Sequence, residues 1–220
     1  MSTMLDCWGL LPTAPAGRAA ERRQQILDTS RRLFIENGFH GTGVAQIAVA
    51  SGIKVGQIYR DFSSKEDIIA AIAFRDLSQF LDEATLQRAI DAGDMSAIRQ
   101  WILAFGTYDA DVDGYRLMPE IMAESVRNPR IARLQEDMRA SVKNALTAAL
   151  AAWAPGEDRE TARSELADLI LMLGSSLCQA IVMEALQGRN YLPLCQRLQT
   201  IVSRELDLIR DSKPSPRAAN

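Results

Sequence analysis

The sequence predicts an all-α protein of 220 residues with a small helical domain followed by a larger one. Three observations predict it. Apolar residues recur at the three-to-four spacing of a helix face through nearly the whole chain, and Gly, Pro and acidic turns punctuate the segments. The last two segments carry more apolar residues than one outer helix needs. The expected layout is a flexible arm over 1–17, a three-helix unit over 18–63, a helical body over 64–211 and a disordered tail over 212–220.

The first helix starts near Arg18. Ile26, Leu33 and Phe34, with Ile35 nearby, form its buried stripe, and Asn37-Gly38 is its stop signal. Phe39 is expected to seal it against the helices that follow. Next, Thr42 stands where its hydroxyl can cap a short helix whose inner face is Val44, Ile47 and Ala48. Gly52 suits the left-handed residue that ends this helix, and Ile53 can tuck inward beyond it. A further short helix runs from about Val55 to Phe62. Ile58 and Phe62 face inward, leaving Val55, Gly56, Gln57, Tyr59 and Arg60 around the other surface. An amide, a phenol, a guanidinium and a close-approach glycine are groups that DNA can use, and a helix pair joined this tightly can set its second helix in a major groove.

In the body, one long helix is expected from Ser64 to about Arg88, with Ile68, Ile69, Ile72, Leu77, Phe80 and Leu81 as its apolar positions. After Gly93 come helices over Met95 to Tyr108 and Tyr115 to Val126, separated by the acidic turn Asp-Ala-Asp-Val-Asp-Gly. From Asp109 to Glu120 that turn completes the pattern of a calcium loop, but Arg116 and Pro119 occupy its eighth and eleventh positions and the chain has no second such loop. A capped turn between helices is the expectation, and no metal site is assigned. Helices over Asn128 to Trp153, Glu157 to Gln187 and Leu192 to Asp211 complete the chain, with Pro155-Gly156 as a break.

The lead helix RRQQILDTSRRLFIENGFHGTGV, the pair IAVASGIKVGQIYRDF and the restart SSKEDIIAAI together resemble the TetR family of one-component transcriptional regulators. The resemblance covers roughly residues 18 to 75. It implies a three-helix helix-turn-helix DNA-binding domain followed by a larger helical ligand-binding and dimerisation domain. Carried over by position, it makes Thr42, Tyr59 and Lys65 phosphate ligands and turns Gln57 toward base edges, with Val55, Gly56 and Arg60 on the same face. Lys54 and Val55 depart from the family pattern, so that the usual helix cap is missing, and Arg60 stands where a His is frequent. The resemblance further implies a C2 homodimer through the last two helices and an effector pocket for which Trp101, Phe105, Tyr108, Tyr115, Met118, Met122 and Met172 are candidates. Plain core is the competing reading of each of these seven. Glu120 and Glu124, four apart, either meet a cationic ligand or form a solvated face.

Composition fits this picture. Residues 18–75 hold nine Arg or Lys and six Asp or Glu, a sum of +3, while the chain as a whole is −3. A basic head on an acidic body suits phosphate contact at one end. Arg18, Arg22 and Arg23 either reach DNA or line a solvated face. No run approaches the ~20 apolar residues of a membrane span, and the first residues lack a signal-peptide pattern. Cys7, Cys178 and Cys195 are too scattered for a disulfide framework or a zinc site and fit reduced thiols in a cytoplasm. His40 is the single imidazole, with no nucleophile constellation around it, so no catalytic residue and no cofactor are expected. The partners expected are a double-stranded operator, a small apolar or aromatic effector and a second copy of the chain. The alternatives are a DNA-binding regulator without an effector, or an enzyme.

Overall fold

The computed structural model of the chain describes residues 17–106 and 115–211. Ten α-helices lie among them: α1 (Arg18–Gly41), α2 (Val44–Ser51), α3 (Val55–Asp61), α4 (Lys65–Leu81), α5 (Glu83–Ala92), α6 (Met95–Leu103), α7 (Leu117–Ser125), α8 (Pro129–Trp153), α9 (Glu160–Leu186) and α10 (Leu192–Asp211). No strand occurs among the described residues, so the all-α class is observed. Residues 1–16 of the N-terminal arm, the whole acidic turn with Tyr108, and the C-terminal tail lie outside the described residues.

The described residues form two compact units, one from 17–80 with 116–138, the other from 81–106, 115 and 139–211. The first unit therefore does not end near residue 63 as expected. Its centre is α4, where Ile68 to Phe74 are buried without interruption. A helix that is apolar on every side needs cover on every side. Helices α1 to α3 supply part of it through Ile26, Phe34, Ile47 and Ile58, and α7 and α8 supply the rest through Leu117, Ile121, Ile131 and Leu134. The run Ile-Ile-Ala-Ala-Ile-Ala-Phe states this need, and it explains why residues beyond the acidic turn belong to the N-terminal core.

The single long helix expected to about Arg88 is two helices. Asp82 takes a left-handed conformation (φ 38°, ψ 55°) and its carboxylate accepts the Thr85 N–H at 3.2 Å, capping α5. An Asp tolerates that backbone because its short side chain bonds locally. The helix expected to Tyr108 ends at Leu103 in a 3-10 turn over Ala104–Gly106.

In the second unit, Trp153 ties three helices together. Its indole N–H donates to the Leu206 carbonyl at 2.9 Å, and the Arg99 and Arg210 guanidiniums lie 5.4 and 4.7 Å from its ring centre. Arg99 also pairs with Asp207 at 2.8 Å. Gly106 lets the turn at 104–106 lie close against α10, since a Cβ there would stand 3.1 Å from Gln199. Burial pushes the Cys178 thiol up to about 11. Against the expectation from sequence, one helical stretch, Glu157–Leu186, is long and apolar enough to cross a membrane. Leu166, Ile170, Leu177 and Ile181 of that stretch are instead buried in this fold.

Candidate nucleic-acid interface

Helix α3 buries Ile58, and Phe62 beyond its end is buried too, so Val55, Gly56, Tyr59 and Arg60 lie on its exposed surface. Tyr59 is 52% exposed, and nothing lies within 4 Å of where a Gly56 Cβ would be. A backbone can come close at Gly56, while the phenol and guanidinium flank it. Preceding α3, Gly52 ends α2 in the left-handed conformation (φ 69°, ψ 12°) that sets the tight turn.

Both short helices start with the same device. The Gly43 N–H donates to Gln46 Oε1 at 2.7 Å, and the Lys54 N–H donates to Gln57 Oε1 at 3.3 Å. A glutamine at the third position thus supplies the reciprocal half of a capping box, satisfying the N–H of the residue before each helix, while the hydroxyl half is absent at Lys54. Gln57, expected to face base edges, is half-buried and used in this cap. Thr42 does not cap α2; it stands at the C-terminal end of α1 and faces inward. It is fully buried, and its hydroxyl donates to the carbonyls of Leu33 at 3.0 Å and Gly38 at 2.9 Å. The phosphate role carried to its hydroxyl by resemblance is replaced by that of a brace across the end of α1.

The helix ends are held by side chains that sequence reasoning placed elsewhere or missed. Lys65, expected as a phosphate ligand, donates to the Phe39 carbonyl at 2.6 Å and the Thr42 carbonyl at 3.0 Å, and burial lowers the pKa of its ammonium. Gln25 donates to the Ser51 carbonyl at 2.8 Å, closing α2. Arg23 donates to the Asp61 carbonyl at 2.9 Å, closing α3, and lies over the Phe62 ring at 4.1 Å. Arg22 grips the Asp61 carboxylate with two nitrogens at 2.7 and 2.9 Å. That hydrogen bond holds Asp61 below the ordinary carboxylate range, against the opposing effect of burial. Terminal carbonyls of α1, α2 and α3 thus each receive a donor. Two of the three arginines expected at DNA or in solvent instead fix the recognition helix to α1. The signal for this was Asp61, an acid at the end of a surface that otherwise suits phosphate.

Helix α7 meets the end of α1. Glu120 accepts the Phe39 N–H at 3.0 Å, and the buried Glu124 carboxylate lies 2.7 Å from His40 Nε2. Both carboxylates are engaged by the end of α1 and do not form the solvated face considered from sequence. The twelfth position of the calcium-loop pattern is therefore committed to packing inside the first unit.

Six of the seven effector candidates lie among the described residues, and Tyr108 lies outside them. Trp101 and Phe105 meet edge to face with centroids 5.2 Å apart in the second unit, and the Trp101 N–H donates to the Leu81 carbonyl at 2.6 Å. Tyr115 also belongs to that unit and is half-buried, while Met172 is 55% exposed. Met118 packs on the core of the first unit, and Met122 belongs to that unit as well.

A family model described as bacterial regulatory proteins, tetR family, matches residues 26–72, the stretch from the first turns of α1 into α4. The transcriptional regulator UidR of Escherichia coli K12 is 30% identical over 125 residues, 56% of this chain and 62% of UidR. The transcriptional activator FasR of Mycolicibacterium smegmatis is 27% identical over 51% of each chain. The chain thus spans between half and two thirds of the length of these curated relatives. Salmonella enterica GusR superposes with a TM-score of 0.64 at 24% identity, covering 87% of this chain and 98% of GusR, a likeness of fold. With its helix-turn-helix built in this way, the chain matches the tetR family of bacterial regulatory proteins over residues 26–72 and resembles its members in fold.

Proposed function

We propose that the protein is a dimeric, sequence-specific DNA-binding transcriptional regulator, a repressor released from its operator by a small apolar or aromatic effector in the cytoplasm. The observation that carries the reading is α3, which turns Val55, Gly56, Tyr59 and Arg60 outward from a buried Ile58. Arg22 and Arg23 lock that helix to α1, the rigidity that readout of base edges needs. Nothing in this reading calls for catalysis.

A second observation supports the dimer. Leu194, Ile201 and Leu208 recur every seven residues along α10 and are exposed, although Leu198, Val202, Leu206 and Ile209 of the same helix are buried. On α9, Met172, Met183 and Leu186 are exposed likewise. Covering one such leucine is worth about 1.5–3 kcal/mol, and a second copy of the same pair of helices fits a four-helix arrangement. An effector acts in this scheme only through its differential affinity for the operator-binding and released states. A DNA-binding regulator without an effector is the competing scheme, and Trp101 and Phe105 are the residues whose replacement separates the two.

The test is selection of duplexes from a genomic pool by the full chain, followed by gel-shift titration of the recovered sequences. Recovery of one two-fold symmetric motif, bound at least 100-fold more tightly than scrambled duplex, is expected; enrichment of no sequence would refute the reading. Sedimentation should give a dimer for the wild type and a monomer for Leu208→Glu. A reporter driven from the recovered site fixes the sign of regulation.

A further inference from the structure

We propose that the corner between α7 and α8, residues 125–133, is a second contact surface for DNA phosphates, with Arg127 and Arg130 as its ligands. The inference rests on the DNA-binding reading above. It starts from the position that resemblance gives to Lys65. That ammonium is spent on two backbone carbonyls and on the face of the Phe39 ring, 4.2 Å away, so the start of α4 lacks its expected outward cation.

Residues 125–133 read Ser-Val-Arg-Asn-Pro-Arg-Ile-Ala-Arg, three arginines and no acid. Side chains tie this corner to the first turn of α4. Arg130 donates to Ser64 Oγ at 3.1 Å and to the Asp67 carboxylate, and Asn128 donates to Glu66 Oε1 at 3.2 Å. Ser64 itself accepts the Asp67 N–H at 3.2 Å. Helix α4 begins just after α3 ends, so the Arg130 guanidinium stands beside the positive end of a 17-residue helix adjoining the recognition helix, and Arg127 lies three residues earlier in the same corner.

The charge pairs of this corner are sided. The Asp67 and Glu124 side chains are 10% and 5% exposed, whereas those of their partners Arg130 and Arg127 are 51% and 63% exposed. The anions lie inside and the cations outside. A guanidinium carries five donors in a rigid fork, so one edge can hold a carboxylate while another meets a phosphate oxygen. The competing account is a set of solvated ion pairs of little consequence. It predicts no ionic-strength signature, whereas phosphate contact does.

The experiment is fluorescence anisotropy of the full chain on labelled operator and scrambled duplexes over a salt series. Arg127→Ala and Arg130→Gln are compared with Tyr59→Phe, which removes an uncharged donor. Each arginine variant should weaken binding to both duplexes and reduce the slope of log K against log salt by about 0.9 for each phosphate no longer neutralised. Tyr59→Phe should leave the slope unchanged. Arg127 stands 3.8 Å from Glu124, and its variant is expected to melt with the wild type, which thermal unfolding checks. Wild-type slopes for both arginine variants overturn this inference alone. A wild-type protein that binds neither duplex overturns the DNA-binding reading itself.

Discussion

The Lys65 ammonium lies 2.6 Å from the Phe39 carbonyl oxygen and 4.2 Å from the centre of the Phe39 ring, joining the start of α4 to the end of α1. Hydrogen bonds to a charged donor stabilise by about 1.5–3 kcal/mol. Lys65→Met keeps the aliphatic stem and removes the donors. It is expected to lower the urea midpoint and to weaken DNA binding through loss of geometry, with the salt slope unchanged. A reduced slope with unchanged stability would return Lys65 to the phosphate role.

Two glycines of the head have positive φ but different surroundings. Gly52 (φ 69°) has nothing within 4 Å of a built Cβ, whereas one on Gly38 (φ 75°, ψ 164°) would stand 3.2 Å from Glu120 Oε2. Gly52→Ala therefore incurs only the left-handed backbone cost of about 1–2 kcal/mol. Gly38→Ala adds displacement of the carboxylate that accepts the Phe39 N–H, and its backbone suits almost only glycine. Denaturant midpoints should fall further for Gly38→Ala than for Gly52→Ala.

Helix positions and inward faces were legible because period and punctuation are local. Asn37-Gly38, Gly52 and the stripe of α2 needed no partner to be read. The boundary of the N-terminal unit was not legible by helix counting, although the apolar run at 68–74 already required cover on all sides. Site residues were legible as a face but less so as roles. Thr42, Gln57 and Lys65 have the chemistry of DNA ligands, and the fold uses that chemistry on backbone carbonyls and N–H groups nearby. Which polar group a donor meets depends on tertiary placement. The break at Asp82 was missed because an Asp within an apolar-periodic stretch does not by itself signal a left-handed residue.

Acid should loosen the recognition helix through Asp61. Its pKa is lowered in the folded chain, chiefly by the Arg22 hydrogen bond, so its contribution is fully present above the ordinary carboxylate value of about 3.9 and is lost as pH falls through the lower folded value. Asp61→Asn should thus be less stable than the wild type at neutral pH, with the difference shrinking as pH falls below the ordinary carboxylate value of about 3.9. Thermal unfolding across that fall in pH checks the sign; a constant difference would remove the ion pair as its cause.

Readout and anchoring should separate on α3. Arg60 is exposed there, and a guanidinium fork can meet the two acceptors of a guanine edge, a contact that discriminates by about 1–3 kcal/mol. Tyr59 offers one phenolic donor, suited to a phosphate oxygen that every sequence presents. Arg60→Ala should therefore flatten preference at one base pair of each half-site, while Tyr59→Phe should weaken all operator variants by a common factor. Gln57 distinguishes capping from reading. With its carbonyl oxygen on the Lys54 N–H, Gln57→Ala should lower stability and weaken every operator variant alike. A changed base preference in Gln57→Ala at unaltered stability would mean that the amide leaves its cap on binding and reads DNA, as the resemblance implies.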